Sequence, residues 1–350
     1  MATIREIAKR SNVSIGTVDR VIHNRGKVKP EVAERIRRVM QELNYKPNVF
    51  ARNLVLGKTF VFGVLLPMEN QDSGYWQKTV QGIRRAEDDL KSQRVKVKYF
   101  HFNKFSERSF EKMAQKALDA DVDGLLVTPG PEKAFHFFMN KAHNVPVVIF
   151  GTTITDVNCI SCIGQDAFQS GVLAGRLLDL LVSSNSSVAV IEMMPVDDHI
   201  ENRSRGFVSY FRNLNHIKVH NYRADGNGDT RHFYNLFKRM LKEHDSLKGV
   251  FVTNANTHKI AAQIEEMELE GKVHLVGYDL IEENIHYLRE GVIDFLISQR
   301  PDIQGYQGIN ALYRHVVLND SVREKIYMQI DIVAKENIDY YQDYGEGIYA

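Results

Sequence analysis

The segment Ser14-Ile15-Gly16-Thr17-Val18-Asp19-Arg20 joins a helix-capping hydroxyl to side chains able to read nucleic acid. Arg20 carries a fork of donors that fits guanine O6/N7 or a phosphate, and Thr17 can touch a phosphate or a thymine methyl. Gly16 is costly inside a helix, and its missing side chain permits close approach to a groove. A carboxylate facing phosphates is repelled, so Asp19 either accepts from a cytosine N4 or braces Arg20 or His23; bracing is the preferred reading. Other chemistry is sparse. Cys159-Ile160-Ser161-Cys162 has the spacing of a redox pair, but such pairs usually start a helix and this one lies in a β-like run before Gly164, which reads as two ordinary thiols. No set of ligands at zinc spacing accompanies it, so neither a metal nor a cofactor is expected. His199 beside Asp197 and Asp198 is the one tempting histidine cluster and reads as part of a loop. With no Gly-rich phosphate loop and no nucleophile elbow, no catalytic residue is assigned and an enzyme is not expected.

Three short helices would present the reading residues. Thr3-Ile4-Arg5-Glu6 fits a capping box, after which Ile4, Ile7 and Ala8 share one face. Ser11-Asn12-Val13 breaks the pattern, with Asn12 best suited to a left-handed turn. Ser14 caps a second helix with Val18, Val21 and Ile22 inward, and Pro30 opens a third with Val32, Ile36, Val39, Met40 and Leu43 inward. A helix, a three-residue turn and a capped second helix match helix-turn-helix geometry, in which the start of the second helix meets base edges. Charge agrees. Residues 1–58 hold thirteen basic and five acidic residues, a net +8, while the remainder holds 32 and 39, a net −7. A basic head on a mildly acidic body points to a polyanion met by the head alone.

From Phe60 onward, short apolar runs alternate with amphipathic stretches. Strands are expected at 60–66, 95–100, 124–127, 145–150, 187–191, 218–222, 249–252, 273–277 and 294–298, with helices including 77–91, 107–120, 168–182, 203–213, 230–244 and 257–268. That alternation implies parallel sheets flanked by helices, and so many strands divide better between two domains than within one sheet. The chain has 350 residues, 43% hydrophobic and 25% charged, in the range of soluble globular proteins. No apolar run reaches a membrane span, the first residues lack a signal-peptide layout, and two cysteines make no disulfide framework. A cytoplasmic protein without a membrane partner is expected.

Thr3-Ile4-Arg5-Glu6-Ile7-Ala8, Val13 to Val21, Leu43-Asn44-Tyr45-Lys46-Pro47-Asn48 and Ala51-Arg52-Asn53-Leu54, in this order and spacing, resemble the lactose-repressor/galactose-repressor family of transcriptional regulators. The resemblance continues more weakly along nearly the whole chain. It implies an all-α helix-turn-helix domain at 1–46 and a hinge at 47–58. It further implies a two-lobed α/β body at 59–350, of periplasmic-binding-protein type I, with doubly wound parallel sheets. One lobe would comprise about 59–163 and 297–321, the other 164–296 and 322–350, with crossings near Gly164, Leu296 and Val322. It also implies a homodimer on palindromic double-stranded operator DNA, with Thr3, Ser14, Ile15, Gly16, Thr17, Asp19, Arg20 and His23 at the DNA. The hinge would add Asn48, Ala51, Arg52 and Leu54, the last wedging between base pairs.

The resemblance extends to an effector cleft. Tyr75 and Trp76 match the family's aromatic pair, and Arg203, in Arg203-Ser204-Arg205-Gly206-Phe207, matches an arginine that points into the cleft. Asn254, Asp279 and Gln299 fall at ligand-binding positions, and Asp166 is a weaker candidate. The implied effector is a carbohydrate or sugar derivative. One departure stands out: Gly151-Thr152 occupies a position where many receptors of this fold carry an acidic–basic pair, leaving room for a bulkier or phosphorylated ligand. Two alternatives stay open on sequence. A sugar receptor without a DNA role would show no salt-dependent affinity for any duplex. A sugar-processing enzyme on the same body would turn over its ligand and stop on Asp279→Ala.

Overall fold

The computed structural model describes residues 3–22, 25–43, 45, 58–152, 157–212, 214 and 216–342. The chain divides into two compact units, Met1–Lys58 and Thr59–Ala350. In the first, α1 (Ile4–Arg10), α2 (Ile15–Ile22) and α3 (Pro30–Glu42) enclose a small core of Ile7, Ala8, Val18, Val21, Ile36 and Val39. The Thr3 hydroxyl accepts from the Glu6 amide at 3.2 Å, capping α1. Glu6 turns its carboxylate to Arg10, one turn on. Asn12 adopts φ +49°, the left-handed conformation that asparagine tolerates, and reverses the chain between α1 and α2. Ser14 then accepts from the Thr17 amide at 3.2 Å.

The second unit opens with β1 (Phe60–Pro67), α4 (Tyr75–Asp89), β2 (Val95–Phe102), α5 (Glu107–Leu118), β3 (Gly124–Val127), α6 (Glu132–Lys141), β4 (Val147–Phe150) and β5 (Ser161–Gly164). It continues through α7 (Ala167–Leu181), β6 (Ser187–Met194), α8 (Asp198–Phe211), β7 (Lys218–Asp225), α9 (Thr230–Glu243), β8 (Leu247–Val252) and α10 (Thr257–Glu266). Then come β9 (His274–Tyr278), α11 (Glu282–Glu290), β10 (Phe295–Ser298), α12 (Pro301–Leu312), β11 (Lys325–Tyr327), β12 (Asp331–Val333) and α13 (Ile338–Gln342). Two six-stranded sheets result, ordered β11-β5-β4-β3-β1-β2 and β12-β10-β9-β8-β6-β7. All pairings are parallel except β10 with β12. Each sheet is covered on both faces, which is why inner strands such as β3 and β4 are buried and apolar along their whole length instead of alternating. Val80 and Ile309 pack on one face of the first sheet and Phe110 and Phe138 on the other. Phe237 and Ile260 cover one face of the second, Leu178 and Phe207 the other.

The chain passes between the sheets after β5, after β10 and between β11 and β12. The third passage therefore lies at 328–330 instead of near Val322, because β11 pairs with β5 and stays in the first sheet. One side chain fastens all three passages. The buried Gln165 amide follows β5 and donates to the carbonyls of Ser298 (3.0 Å) and Gln329 (2.8 Å).

Close helix pairing fixes both lobes. A Cβ on Gly82 of α4 would lie 1.8 Å from the Asp302 carbonyl oxygen of α12, and one on Gly171 of α7 would lie 2.0 Å from the Arg203 carbonyl oxygen of α8. Alanine favours a helix over glycine by about 1 kcal/mol, but overpacking against rigid backbone costs about 1–3 kcal/mol. Gly82→Ala should therefore lower the urea midpoint of unfolding; an increase would mean the two helices can separate at little cost.

Candidate functional site

Both sheets have the doubly wound strand order, so each has a switch point, β1/β3 in one and β6/β8 in the other. Ligands of such sheets bind past the carboxyl ends of the strands. A cavity of about 410 Å³ lies there, within the 300–1,000 Å³ usual for small-molecule sites. Its walls include the residues directly after β3, β4, β6, β9 and β10: Thr128, Gly151, Pro195, Asp279 and Gln299.

A buried polar chain forms one wall. Gln299 donates its amide to both Asp279 carboxylate oxygens, at 3.0 and 2.8 Å, and accepts from Arg203 Nη2. Arg203 Nη1 donates to the Thr253 carbonyl at 2.7 Å, and the guanidinium lies 3.8 Å from the centre of the Tyr278 ring. Arg203 is 1% exposed, and its Nε has no hydrogen-bond partner among the described residues. Burial raises the Asp279 carboxyl from 3.8 to about 7, although the Arg203 charge and the Gln299 amide pull the other way. Asp279 holds φ +70°. Its loop is tied to the β8 loop by buried Asn284, whose amide donates to the carbonyls of Ala255, Tyr278 and Asp279 at 2.9, 2.8 and 3.0 Å. Asn254 accepts the Asn256 amide at 3.0 Å, which shapes the loop after β8.

The facing wall is aromatic. Tyr75 and Trp76 meet edge to face with centroids 5.0 Å apart, and Phe102 and Phe135 extend the apolar surface. Trp76 Nε1 donates to Asp72 at 2.9 Å, and Asp72 also accepts from Lys104 Nζ at 2.5 and 2.7 Å. The cavity thus holds an acidic–basic pair although 151–152 carries none. Asp72, Ser73 and Gly74 all have positive φ, a tight left-handed turn that swings α4 inward.

The structure gathers Tyr75, Trp76, Arg203, Asn254, Asp279 and Gln299 at this one cavity. Asp166 is not among its lining residues: it is exposed, and its carboxylate caps α7 by accepting the Gln169 amide at 2.9 Å. The Asp197–His199 cluster, expected on a loop, instead opens α8 and lines the cavity. Asp197 caps the helix and lies 2.8 Å from His199 Nδ1. Burial would raise the Asp197 carboxyl, but His199 and the Ile200 amide outweigh it and hold it below the ordinary value. Lys104, Asp72 and Asn284 were not legible from the sequence, because each acts through a partner brought near only by folding.

In the head, Ser14, Ile15, Gly16 and Arg20 are exposed and Thr17 and Asp19 are half-buried, while Val18 and Val21 face the core. Ile15, a large apolar residue, is 48% exposed at the tip of α2. Among the described residues a Cβ on Gly16 would meet nothing nearer than Ser14 Oγ at 3.9 Å, so packing against them does not demand glycine there. Burial raises the Tyr45 hydroxyl pKa and the Asp19 carboxylate adds to it, so the Asp19 charge is felt within the head. Thr3 caps α1. His23, Asn48, Ala51, Arg52 and Leu54 lie outside the described residues.

Comparison with known proteins bears on both units. Residues 3–48 match the family of bacterial regulatory proteins, lacI family, and residues 62–319 match the periplasmic binding protein domain. The HTH-type transcriptional repressor PurR of Klebsiella pneumoniae subsp. pneumoniae is 24% identical, covering 97% of this chain and 97% of its own. The HTH-type transcriptional regulator MalR of Streptococcus pneumoniae is 29% identical over 48% of this chain and 51% of its own. A structure described as a LacI transcriptional regulator from Bacteroides fragilis is 26% identical. It superposes with a TM-score of 0.75 over 81% of this chain and 100% of its own. The chain belongs to the lacI family of bacterial regulatory proteins, a helix-turn-helix head followed by a periplasmic-binding-protein body.

Proposed function

We propose that this DNA-binding, effector-controlled regulator is a cytoplasmic repressor. It grips twofold-symmetric operator DNA as a homodimer through α2, and its grip changes when a carbohydrate or sugar derivative enters the cleft. The observation that carries the effector assignment is the polar chain Asp279–Gln299–Arg203 facing the Tyr75–Trp76 wall. Adjacent hydroxyls would meet an acceptor and donors on one side, while a sugar's C–H face would stack on the rings. Around the cavity Asp72, Glu132, Asp197, Asp198, Glu201 and Asp279 outnumber the cations Lys104 and Arg203. Lys104 is already paired with Asp72, and His199 with Asp197. That acidic surplus opposes a phosphorylated ligand and favours an uncharged polyol.

At the DNA, Arg20 would read a guanine or grip a phosphate, and Ile15, Gly16 and Thr17 would let the start of α2 approach the major groove. Asn48, Ala51, Arg52 and Leu54 would complete the contact as a hinge, with Leu54 as the wedge. A repressor's role accords with the description of its relative PurR. Coupling needs only that ligand prefer one arrangement of the lobes, since an effector shifts operator affinity by no more than its own differential affinity. The cleft residues would bind ligand without transforming it.

Three variants test the reading. Arg20→Ala should weaken binding to a selected operator by about 1–3 kcal/mol in anisotropy titrations and to random duplex by less; equal losses would reduce Arg20 to a phosphate contact. Gly16→Ala should stabilise the head by up to about 1 kcal/mol yet weaken operator binding. A variant gaining stability with operator affinity intact would remove the close-approach argument. For Asp279, the raised folded pKa means that the native chain keeps a proton the unfolded chain releases. Its cost to stability is absent below about pH 4 and complete above about pH 7, so stability falls as pH rises through that window. Asp279→Asn should flatten the slope by an amount on the order of a few kcal/mol in urea unfolding. Parallel pH profiles for the two proteins would show that Asp279 does not titrate there.

A further inference from the structure

Cys159 and Cys162 are not among the residues lining the cavity, and the fold changes the meaning of their spacing. Both residues are thiols, and their sulfurs lie 3.2 Å apart. A disulfide needs about 2.05 Å, so modest side-chain movement would join them. Their surroundings differ in a useful way. Cys162 is buried within β5, aligned with Ile149 of β4 and Lys325 of β11, and its amide donates to the Glu324 carbonyl at 2.7 Å. Cys159, half-buried, precedes the strand. The hydrogen bond from Cys162 lowers the Cys159 thiol pKa, with help from the Ser161 backbone and against the effect of burial, which raises the share of reactive thiolate. An accessible, lowered-pKa thiol beside a second, fixed thiol is the arrangement of an attacking and a resolving cysteine.

We propose that Cys159 and Cys162 form a reversible dithiol–disulfide site, oxidised by hydroperoxides, whose state is felt at the wall of the effector cleft. The Cys159 thiolate attacks the terminal hydroperoxide oxygen; the O–O bond breaks, giving a sulfenic acid and, after protonation, an alcohol or water. The Cys162 sulfur then attacks the sulfenic sulfur and displaces hydroxide, which takes up the Cys162 proton and leaves as water. Two thiols and one hydroperoxide thus give one disulfide, one alcohol or water, and one further water. The route to the cleft is short. Ile163, next to Cys162, aligns with Phe150 and accepts the Gly151 amide at 2.9 Å. Gly151 lines the cavity, and the Phe150 ring lies edge-on to Trp76 with centroids 6.5 Å apart. Trp76, the only tryptophan of the chain, is a built-in reporter. This proposal rests on the thiol geometry and stands apart from the identity of the effector.

The test treats the full chain with stoichiometric hydrogen peroxide, then measures intact mass, alkylation by iodoacetamide and Trp76 emission. The chain should lose about 2 Da, two hydrogens, and both alkylation sites, and regain them with dithiothreitol. Trp76 emission should shift on oxidation and return on reduction. Cys159→Ser should show neither change. Cys162→Ala should stop at a sulfenic acid on Cys159, trapped by dimedone, which separates the two roles even if one variant is less stable. Two thiols still fully alkylated after the peroxide is consumed, or a cross-link only between chains, would overturn the site. A disulfide that leaves Trp76 emission unchanged would overturn its coupling to the cleft.

Discussion

A guanidinium excluded from water must be held by fixed acceptors, and the body of this protein is organised around one. Arg203 is almost fully buried, with the Thr253 carbonyl, Gln299 and the face of Tyr278 as its partners. Leaving such a charge poorly paired costs several kcal/mol. Each partner is supplied at or just after the carboxyl end of a different strand of the second sheet: Thr253 after β8, Tyr278 ending β9, Gln299 after β10. Misplacing any of these strands would expose the charge to an apolar interior, so the sheet and the site specify each other. Asp279 joins the arrangement through Gln299, and burial keeps its carboxyl pKa raised even though the Arg203 charge and the Gln299 amide both favour the ionised form.

The two lobes meet this site through three strand passages, and the Gln165 amide binds those passages to one another. Across the cleft the lobes also touch where Tyr75 packs with Ala255 and Ile281 and the Ser73 hydroxyl donates to Asn256 at 3.4 Å. The two walls, aromatic and polar, belong to different lobes, so a ligand that spans them would favour one hinge angle over others. Hinge closure of this kind can be transmitted because packed cores switch between arrangements more readily than they deform.

The sequence disclosed much of this and missed the rest for identifiable reasons. Long parallel strands and amphipathic helices announce themselves by pattern, whereas the cleft residues were reached through the family resemblance: Asn254, Asp279 and Gln299 lie just past strand ends, but Arg203 lies within α8 and Tyr75 and Trp76 open α4. The motif Arg203-Ser204-Arg205-Gly206-Phe207 proves to hold three roles. Arg203 lines the cavity, Gly206 lets the Phe168 carbonyl approach within 2.0 Å of where a Cβ would stand, and Phe207 fills the core. Strands β11 and β12, of three residues each, carry no period to detect, which displaced the third crossing. Asp166, a weaker cleft candidate from the resemblance, caps α7 by accepting the Gln169 amide, a role the sequence reading did not name. Lys104 and Asp72 lie far apart in sequence and meet only in the fold.

Head and body have opposite charge, and regulation through them has one requirement: α2 must recognise a particular sequence, in two copies related by symmetry. The most direct measurement is selection of duplexes by the full chain from a random-sequence pool at physiological ionic strength, followed by sequencing of what is retained. Recognition by paired copies of α2 predicts enrichment of a twofold-symmetric site that competes against excess random DNA. Retention without sequence preference, or none even at low salt, would contradict it.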